Sequence, residues 1–270
     1  MMQTVQRMAG MSRIAVRQRM QYRFDFIMTL ISTLIFCTLF FMLWKAIYQY
    51  STNTVMPWQE LITYVMVGQA INFARWSPAE RAPVYEVASR VRSGDIALDL
   101  IRPVDFQLQR FMEAFGYFVV EMLWVNIPAM LLLILVLGIS PPADVYAALG
   151  FGVSLVIGFL VAFSLNSIVM MVSFLTTNTF GVQVAKKALV DIFAGTLIPF
   201  QFYPAAMQKV LEYLPFQAMA YIPLSIYTGR LSGWTMMVSL LEQLGWALVM
   251  IVLSRLLWMK ASKHMTINGG

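Results

Sequence analysis

Few residues in this 270-residue chain are equipped for chemistry, and most of those are charged. Between Glu86 and Asp105 the sequence E-V-A-S-R-V-R-S-G-D-I-A-L-D-L-I-R-P-V-D gathers arginines and carboxylates between two long apolar segments. Guanidinium and carboxylate groups at this density suit ion pairing with a partner protein. The stretch therefore reads as a docking element, with Glu86, Arg90, Arg92, Asp95 and Asp99 as its contact groups, although an isolated charge there would read as solvated loop. Four more carboxylates, Glu113, Glu121, Asp191 and Glu242, fall in or beside apolar segments, where an ionisable group is costly and points to function. A proton relay is one use for them. Arg110 lies one turn from Glu113, and Lys186 and Lys187 about a turn from Asp191, so structural pairing is the simpler reading for these two. Glu121 and Glu242 are left as the groups that a channel or secondary transporter would use. Thr33, Gln69, Asn72 and Thr196 are candidates to line a substrate path, or equally to hydrogen-bond between helices. Catalytic and metal sites are not expected: Cys37 is the only cysteine, His264 is the only histidine, and no Ser/His/Asp arrangement stands out, which disfavours a membrane-embedded enzyme.

Composition places these groups in a membrane. The chain is 60% hydrophobic and 12% charged, with 21 Met and 19 Phe, outside the range of soluble domains. A net charge of +6 would point to nucleic acid in a soluble protein. Here the distribution of Lys and Arg fits the cytoplasmic bias of membrane proteins better, so no nucleic-acid partner is expected.

Residues 1–23 carry Arg7, Arg13, Arg17, Arg19 and Arg23 with apolar residues at helical spacing, the pattern of an amphipathic interfacial helix on anionic lipid. The apolar run Phe26 to Trp44 is too long for a signal-peptide core and is expected to remain as an anchor. Residues 24–270 form one transmembrane domain with six apolar segments: Phe24 to Tyr48, Trp58 to Trp76, Phe111 to Leu137, Tyr146 to Leu175, Ala188 to Phe202 and Trp234 to Met259. Arginines and lysines gather on one side of that topology, which puts both termini in the cytoplasm. Trp44, Tyr48, Tyr50, Trp58, Tyr146, Tyr203 and Trp234 then fall at the outer ends as interfacial anchors.

Two regions interrupt the spans. Within the cytoplasmic element, residues 77–105, a helix over Val84 to Ser93 is expected, then a break at Ser93-Gly94-Asp95, with Asp95 capping a second short helix that ends before Arg102-Pro103. Residues 203–230 stay apolar while prolines recur at Pro204, Pro215 and Pro223, which predicts re-entrant half-helices in the outer leaflet.

Arg92-Ser93-Gly94-Asp95-Ile96-Ala97 and Leu100-Ile101-Arg102-Pro103-Val104-Asp105, with Leu197-Ile198-Pro199, Tyr213-Leu214-Pro215-Phe216 and Ile222-Pro223-Leu224, resemble the permease subunit of an ATP-binding-cassette exporter of the ABC-2 type, in a subfamily of unassigned substrate. The resemblance implies an all-α polytopic fold: an N-terminal interfacial helix, six spans, a coupling helix between the second and third, and extracellular half-helices between the fifth and sixth. It also implies separate ATPase subunits that bind ATP and Mg, a second permease (the same chain or a related one), a bacterial inner-membrane location, and export of an amphiphilic lipid, peptide or drug-like cargo. The chain has no G-x-x-x-x-G-K-[ST] phosphate loop, so the ATPase is expected on another polypeptide.

Overall fold

A computed structural model describes residues 23–50, 55–75, 78–101, 105–172 and 180–263. The expected interfacial helix, over residues 1–23, lies almost wholly outside the described residues. Every regular element among those described is helical: α1 (Arg23–Tyr50), α2 (Trp58–Arg75), α3 (Pro78–Ser93), α4 (Ile96–Leu100), α5 (Phe106–Leu137), α6 (Val145–Val172), α7 (Phe180–Phe193), α8 (Ala205–Glu212), α9 (Tyr221–Tyr227) and α10 (Gly233–Lys263). Short 3₁₀ turns cover Phe200–Phe202 and Pro215–Met219. Among the described residues, four helices are long and apolar enough to cross a membrane: Phe26–Tyr50, Phe106–Leu137, Val145–Val172 and Gly233–Ser262.

Two expected segments differ from what forms. The third apolar helix begins at Phe106 rather than Phe111, because the Asp105 side chain accepts from the Leu108 N–H (3.0 Å) and caps it. The fifth segment, expected over Ala188 to Phe202, is instead the 14-residue α7 at Phe180–Phe193 followed by a turn. Gly195 adopts φ 78°, and a Cβ there would meet the Phe200 ring at 2.8 Å, so the chain reverses where the apolar pattern alone reads as helix. At about 1.5 Å per residue α7 is roughly 21 Å long, shorter than a hydrocarbon core.

The centre of the bundle is α2. Every residue from Leu61 to Asn72 is buried, against α1, the middle and upper parts of α5, and α9. Lipid tails are as apolar as leucine, so such packing rests on close fit and hydrogen bonds rather than on escape from water. Gln59, Glu60, Gln69 and Asn72 therefore have protein neighbours, and the composition of α2 keeps it out of the four apolar spans.

Around that centre α6 supplies a stripe of small residues, Ala147, Gly150, Ser154, Gly158 and Ala162, all buried. Close approach follows: a Cβ on Gly158 would lie 3.0 Å from the Ala218 carbonyl. Gln243 of α10 occupies the same junction. Its Nε2 donates to the carbonyls of Ser154 (2.8 Å) and Ala218 (2.6 Å), and its Oε1 accepts from the Ser154 hydroxyl (2.9 Å). One amide thus joins α6, α10 and the turn at Pro215–Met219.

Of the expected aromatic anchors, Tyr50, Tyr146 and Trp234 are strongly exposed, whereas Trp44 is buried and packs edge-on against Phe202. Trp44 is a core residue, since the turn after α7 folds back over α1 and covers it. Replacing Gln243 with Leu is expected to lower stability by about 1–3 kcal/mol, because two buried carbonyls lose their donor. Thermal unfolding of the detergent-solubilised protein checks this.

Candidate functional site

The chain directions place two sets of contacts at opposite ends of α2. Near its N-terminus, Arg230 pairs with Glu60, Gln59 Nε2 donates to the Gly138 carbonyl (2.7 Å), the Ser140 N–H donates to Thr63 Oγ1 (3.0 Å) and Tyr227 donates to the Ser140 carbonyl (3.1 Å). The charged stretch lies beyond its C-terminus, where α3 and α4 lead into α5.

α3 starts at Pro78, earlier than expected, with proline at a position where a missing N–H costs nothing. Val84, Val87, Ala88 and Val91 recur at helical spacing and form its inward stripe. Val84, Val87 and Val91 pack in a small apolar cluster with Ile96 of α4, Phe106 of α5, Val169, Met170 and Met171 of α6, and Trp258 of α10. The outer face keeps Glu86, Ser93, Asp95, Leu98 and Ile101 accessible, with Leu98 64% and Ile101 78% exposed.

At the inner edge sits an ion cluster. The Asp99 side chain has no exposed surface, and its Oδ2 accepts from Arg90 (2.6 Å) and Arg110 (3.2 Å). Glu86 reaches both arginines, at 3.3 and 3.4 Å, and Glu113 accepts from Arg110 (2.9 Å) and from Gln109 (3.0 Å). Arg110 is buried and lies over the Phe106 ring, 5.3 Å from its centroid. A direct hydrogen bond from Arg90 to Asp99 raises the Arg90 pKa, so its charge is fixed at any ordinary pH. The cluster fastens α3 and α4 to the start of α5.

A second fastening brings in α10. Arg255 pairs with Asp105 (2.6 Å) and donates to Gln107 (3.0 Å), Gln107 donates to Ser254 Oγ (3.2 Å), and Phe106 stacks on Trp258 with centroids 4.9 Å apart. Burial alone would raise the Asp105 pKa, but the hydrogen bonds from Arg255 and from the Leu108 N–H outweigh it and hold the carboxyl below its ordinary value.

Of the residues expected to dock a partner, Glu86, Arg90 and Asp99 are thus engaged within the chain. Arg92 lies on the last turn of α3, with its side chain outside the described residues. Asp95 stands at the expected cap position, but its side chain makes no capping bond; it accepts from Ser93 Oγ (2.7 Å) instead. The backbone at Asp95 is already helical (φ −63°, ψ −14°), and a capping side chain needs extended backbone to reach forward. Of the expected path residues, Gln69 and Thr196 come together: Gln69 Nε2 donates to the Thr196 carbonyl (3.1 Å), and both are buried. Asn72 is buried on α2, and Thr33 donates to the Thr29 carbonyl of its own helix (2.8 Å). The pairings Glu113–Arg110 and Asp191–Lys187 are present. Sequence reasoning placed Arg110 and Arg255 on the cytoplasmic side and paired Arg110 with Glu113, but it did not foresee that Arg110 also holds Asp99 or that Arg255 holds Asp105, since those partners lie on other helices.

A chain whose described residues form only helices, four of them apolar and long enough to cross a bilayer, is a polytopic membrane protein. Residues 34–269 match the model of a family described as ABC-2 family transporter protein, and the chain belongs to that family. It is a membrane transporter component. No curated protein and no solved structure matches the chain.

Removing the Asp99 charge leaves Arg110 buried beside the remaining carboxylates, so Asp99→Asn is expected to cost about 3 kcal/mol; the double change Asp99→Leu with Arg110→Met should cost less than either single one. Unfolding of the parent, the three single variants and the double variant in detergent decides this. Because the folded pKa of Asp105 is depressed, its contribution is complete above the unfolded carboxylate pKa and disappears as pH falls through the folded one. D105N should accordingly melt lower than the parent at pH 7, and the gap should close on acidification below the ordinary carboxylate range.

Proposed function

We propose that the chain is the permease subunit of an ATP-binding-cassette exporter, driven from the cytoplasm by separate ATPase subunits that bind ATP and Mg. The observation that carries this reading, beside family membership, is the two-sided character of α3–α4. Its inner side is fastened to α5 through Asp99, while its outer side offers Leu98 and Ile101 beside Glu86 and Asp95. An element fastened on one side and open on the other is suited to take a push from a partner and hand it to a span. Leu98 and Ile101 would seat in an apolar groove of the ATPase, and the polar groups around them would set orientation.

On this reading α2 and α7 complete six spans with the four apolar helices, α7 together with the turn that follows it. Residues 203–230 are extracellular half-helices, both termini are cytoplasmic, and the membrane is the bacterial inner membrane. A second permease, identical or related, completes the pathway, and alternating access moves an amphiphilic lipid, peptide or drug-like cargo. The channel alternative relied on Glu121 and Glu242. Glu242 accepts from Gln217 (2.8 Å), tying α10 to the turn at Pro215–Met219, which is an anchoring use.

Purification from the native membrane in mild detergent should bring down a P-loop ATPase together with this chain. L98D should abolish that association while leaving the melting temperature of the isolated permease unchanged, since Leu98 is exposed. Retention of the ATPase by L98D would remove the docking face assigned here, and absence of any ATPase, crosslinked or not, would remove the ATP-driven reading.

A further inference from the structure

The longest apolar helix carries a break in its hydrogen-bond ladder. Within α5, Met122–Asn126 form a π-turn: the Ile127 N–H donates to the Met122 carbonyl, five residues back, where an α-helix would use four. Two residues on, Pro128 brings no N–H to the next turn. The Asn126 side chain folds back to donate to the Glu121 carbonyl (3.1 Å), covering one acceptor that the wide turn leaves over. π-turns inside α-helices are rare and occur mostly at functional positions.

The turn divides α5 into two arms held by different parts of the protein. The lower arm, Phe106–Glu121, is fastened to α3 and α4 by the Asp99–Arg110 pair and to α10 by Arg255–Asp105. The upper arm, Ile127–Leu137, runs into Gly138 and Ser140, which are bonded to Gln59 and Thr63 of α2 and to Tyr227 of α9. Around the turn itself, Val125 and Asn126 face inward while Leu123, Trp124 and Ile127 face outward, 55%, 56% and 49% exposed. Two anchored arms with a weakened ladder between them form a lever whose bending costs least at the π-turn.

We propose that α5 is the transmission element of the transporter: the lower arm moves with α3–α4 as one body, and the Met122–Asn126 turn absorbs the change of angle while the upper arm stays with α2 and α9. The proposal rests on the ATP-driven reading above. It assigns Arg110 and Asp99 as positioning residues, acting on the pathway through the lower arm.

The test is a reversible staple applied after folding. In a Cys37→Ala background, Leu123→Cys and Ile127→Cys stand one turn apart on the outward face and accept a short bis-methanethiosulfonate bridge that reductant removes. The reconstituted permease–ATPase complex is then assayed for ATP hydrolysis, which needs no knowledge of the cargo. Bridging should reduce hydrolysis at least about fivefold, reductant should restore it, and the same bridge at Leu244→Cys and Leu248→Cys on exposed α10 should leave it unchanged. Undiminished hydrolysis in a fully bridged complex, or equal loss with the α10 bridge, overturns the lever while leaving the ATP-driven reading intact. A permease that assembles with no ATPase overturns both.

Discussion

Backbone that leaves a helix inside an apolar environment needs a donor for each carbonyl it frees, and much of this architecture follows from that requirement. The segment from Ala194 to Gly229 is broken repeatedly, and long side chains cover its carbonyls. Tyr64 donates to Gly195, Gln69 to Thr196, Gln208 to Tyr203, Gln217 to Glu212 and Gln243 to Ala218. Three of these donors come from helices distant in sequence, so the broken segment has a fixed position only where α2 and α10 already stand. Gln69, one of the α2 residues expected to line a substrate path, is used for this purpose.

The opposite end obeys a different rule. There charged groups leave water only in combination, and Asp99 is the case that fixes the rest: a carboxylate with no exposed surface, held by two guanidiniums from different elements. An apolar pair of the same volume would pack equally well, so the cluster is better understood as specifying which helices meet than as a source of stability. Together with Arg255–Asp105 it makes one end of α3, α4, α5 and α10 a single unit. A partner that grips α3–α4 grips that whole unit.

How much of this could be read from sequence depended on whether pattern or contact decided the outcome. The long apolar helices were legible because hydropathy alone determines them, and the polar stretch after α2 stood out by density of charge. The end of α7 was not legible, since Gly195 and Pro199 interrupt an apolar run whose reversal is held by Tyr64 and Gln69, more than a hundred residues away. Asp95 and Asp105 make the same point at short range: both precede helices, yet only Asp105 has the extended backbone that lets its side chain cap. That Arg90 and Asp99 pair within the chain was not visible, because sequence shows charge without its neighbours; Arg110, past a proline and on the next helix, is the second guanidinium that holds Asp99. The π-turn had no visible signal except Pro128.

The composition of α2 also bears on how the protein is made. A helix that carries Gln59, Glu60, Gln69 and Asn72 in 18 residues partitions poorly into lipid by itself, although in the finished molecule every residue from Leu61 to Asn72 is enclosed. On the six-span reading it cannot be released into the bilayer as an independent unit while the ribosome is still producing the rest. It has to enter beside the much more apolar α1, as a hairpin, and Gln69 stays without its final partner until the chain beyond Thr196 has been synthesised. Biogenesis on that reading passes through an intermediate whose polar centre stays unfinished until Thr196 reaches Gln69.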